Sequence, residues 1–239
     1  MSVPAMGRPP ISDAVLVHGS FSSAASWDPV LPGLRAGGLE PHTVTLPGHG
    51  HRIDEAGPDI DLYAHASAVV EHVQANGLDN IMLVGHSYGG MPVTQAWDAL
   101  RDRVRAVVYV DAGVAENGES QFDLLGPEIA AVTREIAAAN GGMLPAPNRD
   151  TPSFPLAVSS METPVRLGVP LPAGVPRVLV LATDNTGNHR YHHRQAAELR
   201  GRPDWTIVEM DCGHNVLGER TGELVALLLG LAGPSLSAA

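Results

Sequence analysis

Six short runs rich in Val, Ile and Leu punctuate the 239-residue chain: Ala14 to Val17, His42 to Leu46, Ile81 to Val84, Ala106 to Val110, Arg177 to Ala182 and Thr206 to Met210. Each is bounded by Gly, Pro or Asn, and helix-like stretches separate them, which is how parallel strands buried on both faces read. The pattern predicts an α/β architecture, a mostly parallel central sheet flanked by helices. Asp61 to Asn76 carries Leu62, Ala66, Val69, Val70 and Val73 at helical spacing and stops at Asn76-Gly77. Gly89 to Arg101 reads as a second helix and Glu219 to Leu231 as a closing one, with Leu224, Leu227, Leu228 and Leu231 on its apolar face. The tail Pro234 to Ala239 reads as frayed.

A chain of this length is expected to form one domain. From about Gly113 to Pro172 the alternation breaks: one helical segment, Pro127 to Asn140, precedes a Pro-rich stretch holding Met143, Phe154 and Met161. The expectation is a small cap inserted over the sheet at about 113–172, with Phe21, Phe122, Met143, Phe154 and Met161 lining an apolar substrate pocket. Ordinary loop packing accounts for the same residues, and the two readings stand level.

Composition removes several classes of chemistry. A formal charge of −11 opposes encounter with phosphate backbones or anionic membranes, so neither nucleic acid nor membrane is an expected partner. The expected partner is a small-molecule substrate, and a homodimer is compatible with the reading. Cys212 is the single cysteine, which excludes an internal disulfide and a multi-thiolate metal site within one chain. All fifteen basic residues are Arg, so Schiff-base lysine chemistry and the P-loop lysine are absent. No cofactor or metal is expected. The opening MSVPAMGRPP shows no secretory pattern, and the cytoplasm is the expected location.

Ile81 to Gly90 reads IMLVGHSYGG, so Gly85-His86-Ser87-Tyr88-Gly89 falls between an apolar strand and a helix, the context that a G-x-S-x-G nucleophile elbow requires. Such a turn is sharp and strained, and small residues are needed two places either side of the serine; Gly85 and Gly89 meet that need. The bland alternative is a glycine-rich turn holding an incidental serine.

An alcohol needs a base beside it and a carboxylate behind the base. His214, in Asp211-Cys212-Gly213-His214-Asn215 after the last strand, is the candidate base. Asp184, directly after RVLVLAT, is the first choice of acid from the chain-order template. Asp111, closing VVYV, is the competitor because its strand end faces the same crevice; its bland role is to hold a loop by accepting backbone N–H bonds. The oxyanion hole is expected from the N–H groups of Tyr88 and Ser20, with Phe21 as the fallback donor. Trp27 reads as core. His49 and His51 fall in a turn, His65 and His72 on a helix, and the cluster His189, His192 and His193 reads as a solvated face rather than a metal site.

VLVHGSFSSAASW, LPGHG, LVGHSYGG and DCGH together resemble the α/β-hydrolase superfamily over most of the chain. The segment Thr163 to Thr183, with PVRLGVPLP, is similar to the branch holding plant methyl-ester esterases and hydroxynitrile lyases. The lyases carry a Lys after the catalytic His and a Thr after the first His of the oxyanion loop, where this chain has Asn215 and Gly19; the resemblance therefore implies the esterase side. It implies a serine hydrolase acting on a small, largely apolar carboxylic ester through an acyl-enzyme. The same triad would also serve C–C bond or lactone hydrolysis, acyl transfer or a biosynthetic rearrangement, and the fold would also serve a non-catalytic ligand receptor.

Overall fold

Valine-rich runs form parallel strands only if each is covered on both faces, and the crossovers here supply that cover. In the computed structural model, which describes residues 10–147, 151–169, 174–185 and 191–233, the strands are β1 (Asp13–Val17), β2 (Glu40–Val44), β3 (Ile81–His86), β4 (Val104–Val110), β5 (Met143–Leu144), β6 (Leu156–Ala157), β7 (Arg177–Ala182) and β8 (Trp205–Met210). The helices are α1 (Leu31–Ala36), α2 (Leu62–Ala75), α3 (Gly90–Leu100), α4 (Gln121–Leu125), α5 (Pro127–Ala139), α6 (Val158–Glu162), α7 (Tyr191–Leu199), α8 (Val216–Glu219) and α9 (Thr221–Ala232). A six-stranded sheet runs in the order β2-β1-β3-β4-β7-β8, every neighbouring pair parallel. This is the mostly parallel, helix-flanked architecture the apolar runs predict.

Alternation along the strands divides the core. Val15, Val17, Leu83, Val107, Tyr109 and Leu179 pack with residues of α2, α3 and α7 on one face. Ala14, Leu16, Met82, Val84, Val108 and Val180 pack with residues of α1 and α9 on the other. Burying each Val, Leu or Ile contributes about 1.5–3 kcal/mol relative to exposure, so the two faces jointly drive folding. α2 begins where the Asp61 side chain accepts the Ala64 N–H at 2.9 Å. Trp27 is fully buried in the second cluster.

The strand ends lie level: Val17 pairs with Gly85, His86 with Val110, and Ala182 with Met210. The loops after β1, β3, β4, β7 and β8 therefore share one edge. The chain runs from β1 outward to β2 and returns to β3 on β1's other side, which opens a crevice at the carboxyl ends of β1 and β3.

The expectation of His42 to Leu46 as a strand is shifted: β2 ends at Val44. Leu46 N–H donates instead to His18 Nε2 at 3.1 Å, and Pro47 has no N–H to offer a ladder. Between β4 and β7, α4, α5, α6 and the two-stranded β5-β6 ladder bury a separate apolar cluster of Phe122, Ala130, Ala137, Leu144, Leu156 and Met161, against which Phe21 packs. The main body holds this segment through Phe154 N–H to Phe21 O (3.0 Å), Tyr63 OH to Pro164 O (3.0 Å) and Ser159 Oγ to Ile60 O (2.7 Å). The expected fraying of Pro234 to Ala239 lies outside the described residues. Among the described residues no helix is long and apolar enough to cross a membrane.

Candidate active site

The turn after β3 admits little but glycine around its serine. A Cβ on Gly85 would stand 2.5 Å from the Gly89 carbonyl oxygen, and one on Gly89 would stand 2.5 Å from the Val17 carbonyl oxygen. Between them Ser87 adopts φ 55, a left-handed conformation that costs a non-glycine residue about 1–3 kcal/mol. Among the described residues, four non-glycine residues have positive φ, Phe21, Asn80, Ser87 and Asp111, and three of these gather at this strand edge. Strain is concentrated where the loops converge.

Ser87 Oγ lies 2.9 Å from His214 Nε2, and His214 Nδ1 lies 2.6 Å from Asp111 Oδ2. A carboxylate only accepts, so Nδ1 carries the proton and Nε2 presents its lone pair to the hydroxyl. The carboxylate at His214 is thus Asp111, and the expectation of Asp184 in that place is corrected. Asp184 is exposed in the turn after β7, its main-chain N–H donating to Cys212 O at 3.1 Å. Asp111 is fully buried directly past the end of β4, at φ 41. Its carboxylate also accepts Ala182 N–H at 3.2 Å and Asn185 Nδ2 at 2.5 Å, while His192 Nδ1 lies 3.1 Å from Oδ1. Burial pushes the Asp111 carboxyl up, but the His192 and His214 contacts outweigh it and hold the group well below the ordinary carboxylate range. It stays ionised.

His86 supports His214: its Nε2 donates to His214 O at 3.0 Å, and its ring lies 4.8 Å from the His214 ring. Burial, with His214 beside it, lowers its pKa to about 3, so it is neutral and lays no charge against the His214 ring.

The loop after β1 crosses directly over Ser87. A Cβ on Gly19 would meet Ser87 Cβ at 2.8 Å and Oγ at 3.3 Å, so only glycine lets the loop approach so closely. His18 fixes it, donating from Nδ1 to Gly19 O at 2.9 Å while Nε2 accepts Leu46 N–H. Burial first, and then His49, brings His18 to about 3, which keeps this one-donor, one-acceptor tautomer. Ser20 and Phe21 follow beside the crevice, both half-buried. Tyr88 is the second residue of the helical turn Ser87–Gly89, where main-chain N–H groups lack helical acceptors. Its side chain faces the core, the hydroxyl 2.9 Å from His65 Nδ1.

Of the residues expected to line a pocket, Phe122 and Met161 are buried in the inserted segment's own cluster, with Phe21 against it. Met143 starts β5, and the Phe154 ring lies 6.3 Å from that of His49. A groove of about 970 Å³ lies elsewhere, between Val114–Leu124 and α7, and is lined by none of these five.

The expectation of a solvated face at His189, His192 and His193 is overturned for His192, which is fully buried; His189 lies outside the described residues. The signal was present in the sequence: Tyr191, His192, Gln195, Ala196 and Leu199 recur at helical spacing and form the buried face of α7. Asn185 was missed as well, and nothing in its sequence context marks it.

Asp111, His192 and His214 offer atoms within 4.8 Å of one another, a spacing that a metal could exploit. Yet the 2.6 Å contact of His214 with Asp111 is a charge-assisted hydrogen bond, shorter than the about 3.3 Å between ligands of a tetrahedral zinc ion. The arrangement is a chain of hydrogen bonds from Ser87 through His214 to Asp111.

A strained serine between two strand ends, with an imidazole and a buried carboxylate in line, agrees with the sequence comparison. The profile of the "Alpha/beta hydrolase family" matches residues 14–227. The chain belongs to the alpha/beta hydrolase family. This hydrolase is similar to the carbendazim hydrolyzing esterase of Nocardioides sp. (strain SG-4G), with 32% identity over 92% of this chain and 100% of that one. It is similar also to esterase PIR7B of Oryza sativa subsp. japonica, with 34% identity over 42% of this chain and 38% of that one. Among solved structures, an extracellular alpha/beta-hydrolase from a Paenibacillus species superposes with a TM-score of 0.74 at 19% identity, over 93% of this hydrolase and 99% of that chain. That likeness concerns the fold.

Proposed function

We propose that this hydrolase is a serine esterase for small, largely apolar carboxylic esters, with Ser87 as nucleophile, His214 as base and Asp111 as acid. The observation that carries the reading is the in-line pair of contacts, 2.9 Å from Ser87 Oγ to His214 Nε2 and 2.6 Å from Nδ1 to Asp111 Oδ2. Likeness to an esterase along that protein's whole length supports the bond type.

Ser87 Oγ attacks the ester carbonyl as its proton passes to His214 Nε2; the imidazolium so formed is held by ionised Asp111. The main-chain N–H groups of Tyr88 and Ser20 take the oxyanion, and losing one such donor typically costs about 3–4 kcal/mol. Nε2 returns the proton to the departing alcohol, leaving an acyl-Ser87. Water, deprotonated by the same nitrogen, then releases the acid. Phe21, half-buried between the loop after β1 and the segment's own cluster, offers an apolar surface beside Ser20 for the acyl or alcohol group.

The test is labelling with a fluorophosphonate probe, together with turnover of a chromogenic short-chain ester. Adduct on the peptide bearing Ser87, with both labelling and turnover lost in Ser87→Ala, is expected. Parental ester turnover in Ser87→Ala, or no adduct on the parent protein, sinks the reading. A substrate panel including lactones and diketones, with mass analysis of products, separates ester cleavage from other chemistry on the same triad.

A further inference from the structure

The acid of a relay needs one donor, the base; Asp111 faces four. Oδ2 takes His214 Nδ1 and Asn185 Nδ2, while Oδ1 takes Ala182 N–H and faces His192 Nδ1 at 3.1 Å. Ala182, Asn185 and His214 arrive from the ends of β7 and β8, but His192 comes from the first turn of α7. That turn is anchored to the chain just beyond Asp111. Gln195 accepts Val114 N–H at 3.2 Å and donates to Val114 O at 2.6 Å. Tyr191, its ring 4.1 Å from that of His192, accepts from Gln121 Nε2 at 3.0 Å. The imidazole is thus clamped on both sides of its own turn.

Burial of His192 favours its neutral form over the pull of Asp111. A neutral imidazole has one proton, and a nitrogen 3.1 Å from a carboxylate must carry it. The rings of His192 and His214 lie 6.2 Å apart and within 18° of parallel, with His192 Nδ1 3.1 Å from Oδ1 and His214 Nδ1 2.6 Å from Oδ2 of a single carboxylate. Rotation of the carboxylate about its Cβ–Cγ bond would break both contacts together. A lone hydrogen bond to His214 would leave that rotation free.

We propose that His192 is a positioning residue for the relay, its Nδ1–H holding Asp111 Oδ1 so that Oδ2 stays presented to His214. It touches no reacting atom. The inference rests on the serine-esterase reading, whose failure is visible separately in the parent protein.

The test compares His192→Asn, which keeps an N–H where Nδ1 stands, with His192→Phe, which fills the space and offers no donor. Steady-state turnover of a chromogenic ester and the rate of fluorophosphonate labelling are measured on both, with urea midpoints as a check of folding. His192→Phe is expected to lose about 10- to 100-fold in kcat with KM within about threefold, because a small misplacement of the relay acts on the chemical step. Labelling should slow in the same proportion. His192→Asn is expected to recover to within about fivefold of the parent. If His192→Phe does not fold, His192→Leu replaces it, since it is smaller and likewise offers no donor. A folded donor-less variant with parental kcat, or an Asn variant as impaired as the donor-less one, overturns the inference while leaving the parent reading intact. A parent protein that neither labels nor turns over ester overturns the reading beneath it.

Discussion

Asp111 and Asp184 each follow a strand, yet only one meets the imidazole. Asp111 turns inward at φ 41, where Ala182 N–H, Asn185 and His192 surround its carboxylate; Asp184 stands exposed in the turn after β7. The kinetic contrast should be large. Asp111→Asn is expected to lower kcat by about 10⁴-fold, because an amide in that place no longer enforces the Nδ1–H tautomer. Asp184→Asn is expected to stay within about threefold of the parent, as a substitution of an exposed group outside the relay. Turnover of a chromogenic ester by the two variants decides it, and the reverse ranking would return the acid to Asp184. Both aspartates close apolar runs in the sequence, and chain order, which ranks Asp184 first, carries no information about backbone dihedrals. The φ of Asp111 is imposed by tertiary contacts, and nothing local in Val110-Asp111-Ala112 encodes it.

At the level of elements, the turn from β3 into α3 shows how much a short motif can specify. Its glycines are legible because their reason is steric: a Cβ on Gly85 would lie 2.5 Å from the Gly89 carbonyl oxygen and 2.7 Å from Gly90 N, both immovable backbone. Gly85→Ala is expected to cost about 3 kcal/mol of stability and to abolish fluorophosphonate labelling, read from urea unfolding and intact mass. A folded, labelled Gly85→Ala protein would show that the turn relaxes. The sheet strands were legible for a related reason, since burial on both faces leaves an apolar run bounded by breakers. α7 was not, although its buried face follows helical spacing, because that face carries the polar Tyr191, His192 and Gln195. They are buried because they bond to Asp111, Gln121 and Val114, partners 70 or more residues away in sequence. The two-residue strands β5 and β6 are too short to leave any period in the sequence.

Across the whole molecule, neutral histidines are folded into the interior. His18 and His65 are fully buried, and burial together with His49 lowers each to about 3 from 6.5. The unfolded chain takes up a proton at each below pH 6.5 while the folded one does not, so their contribution is whole above that pH and declines as pH falls toward 3. Each can cost at most about 1.4 kcal/mol per pH unit in that window. Asp111 acts in the same sense at more acid pH, since its lowered pKa stabilises the fold above the ordinary carboxylate range and that stabilisation fades below it. Urea midpoints measured from pH 7.5 to 5 are expected to fall, and less steeply in His65→Gln; a level midpoint would mean that these imidazoles are not buried in neutral form.

The Asn185 amide nitrogen stands 2.5 Å from Asp111 Oδ2 and 3.4 Å from His214 Nδ1, so the ends of two adjacent strands both reach one imidazole. In a lineage with this layout, a negative charge can change address by one-letter substitutions at the ends of neighbouring strands while Ser87 and His214 keep their places. A rule that finds the acid by counting strands would then fail, without any change in the chemistry it was meant to locate.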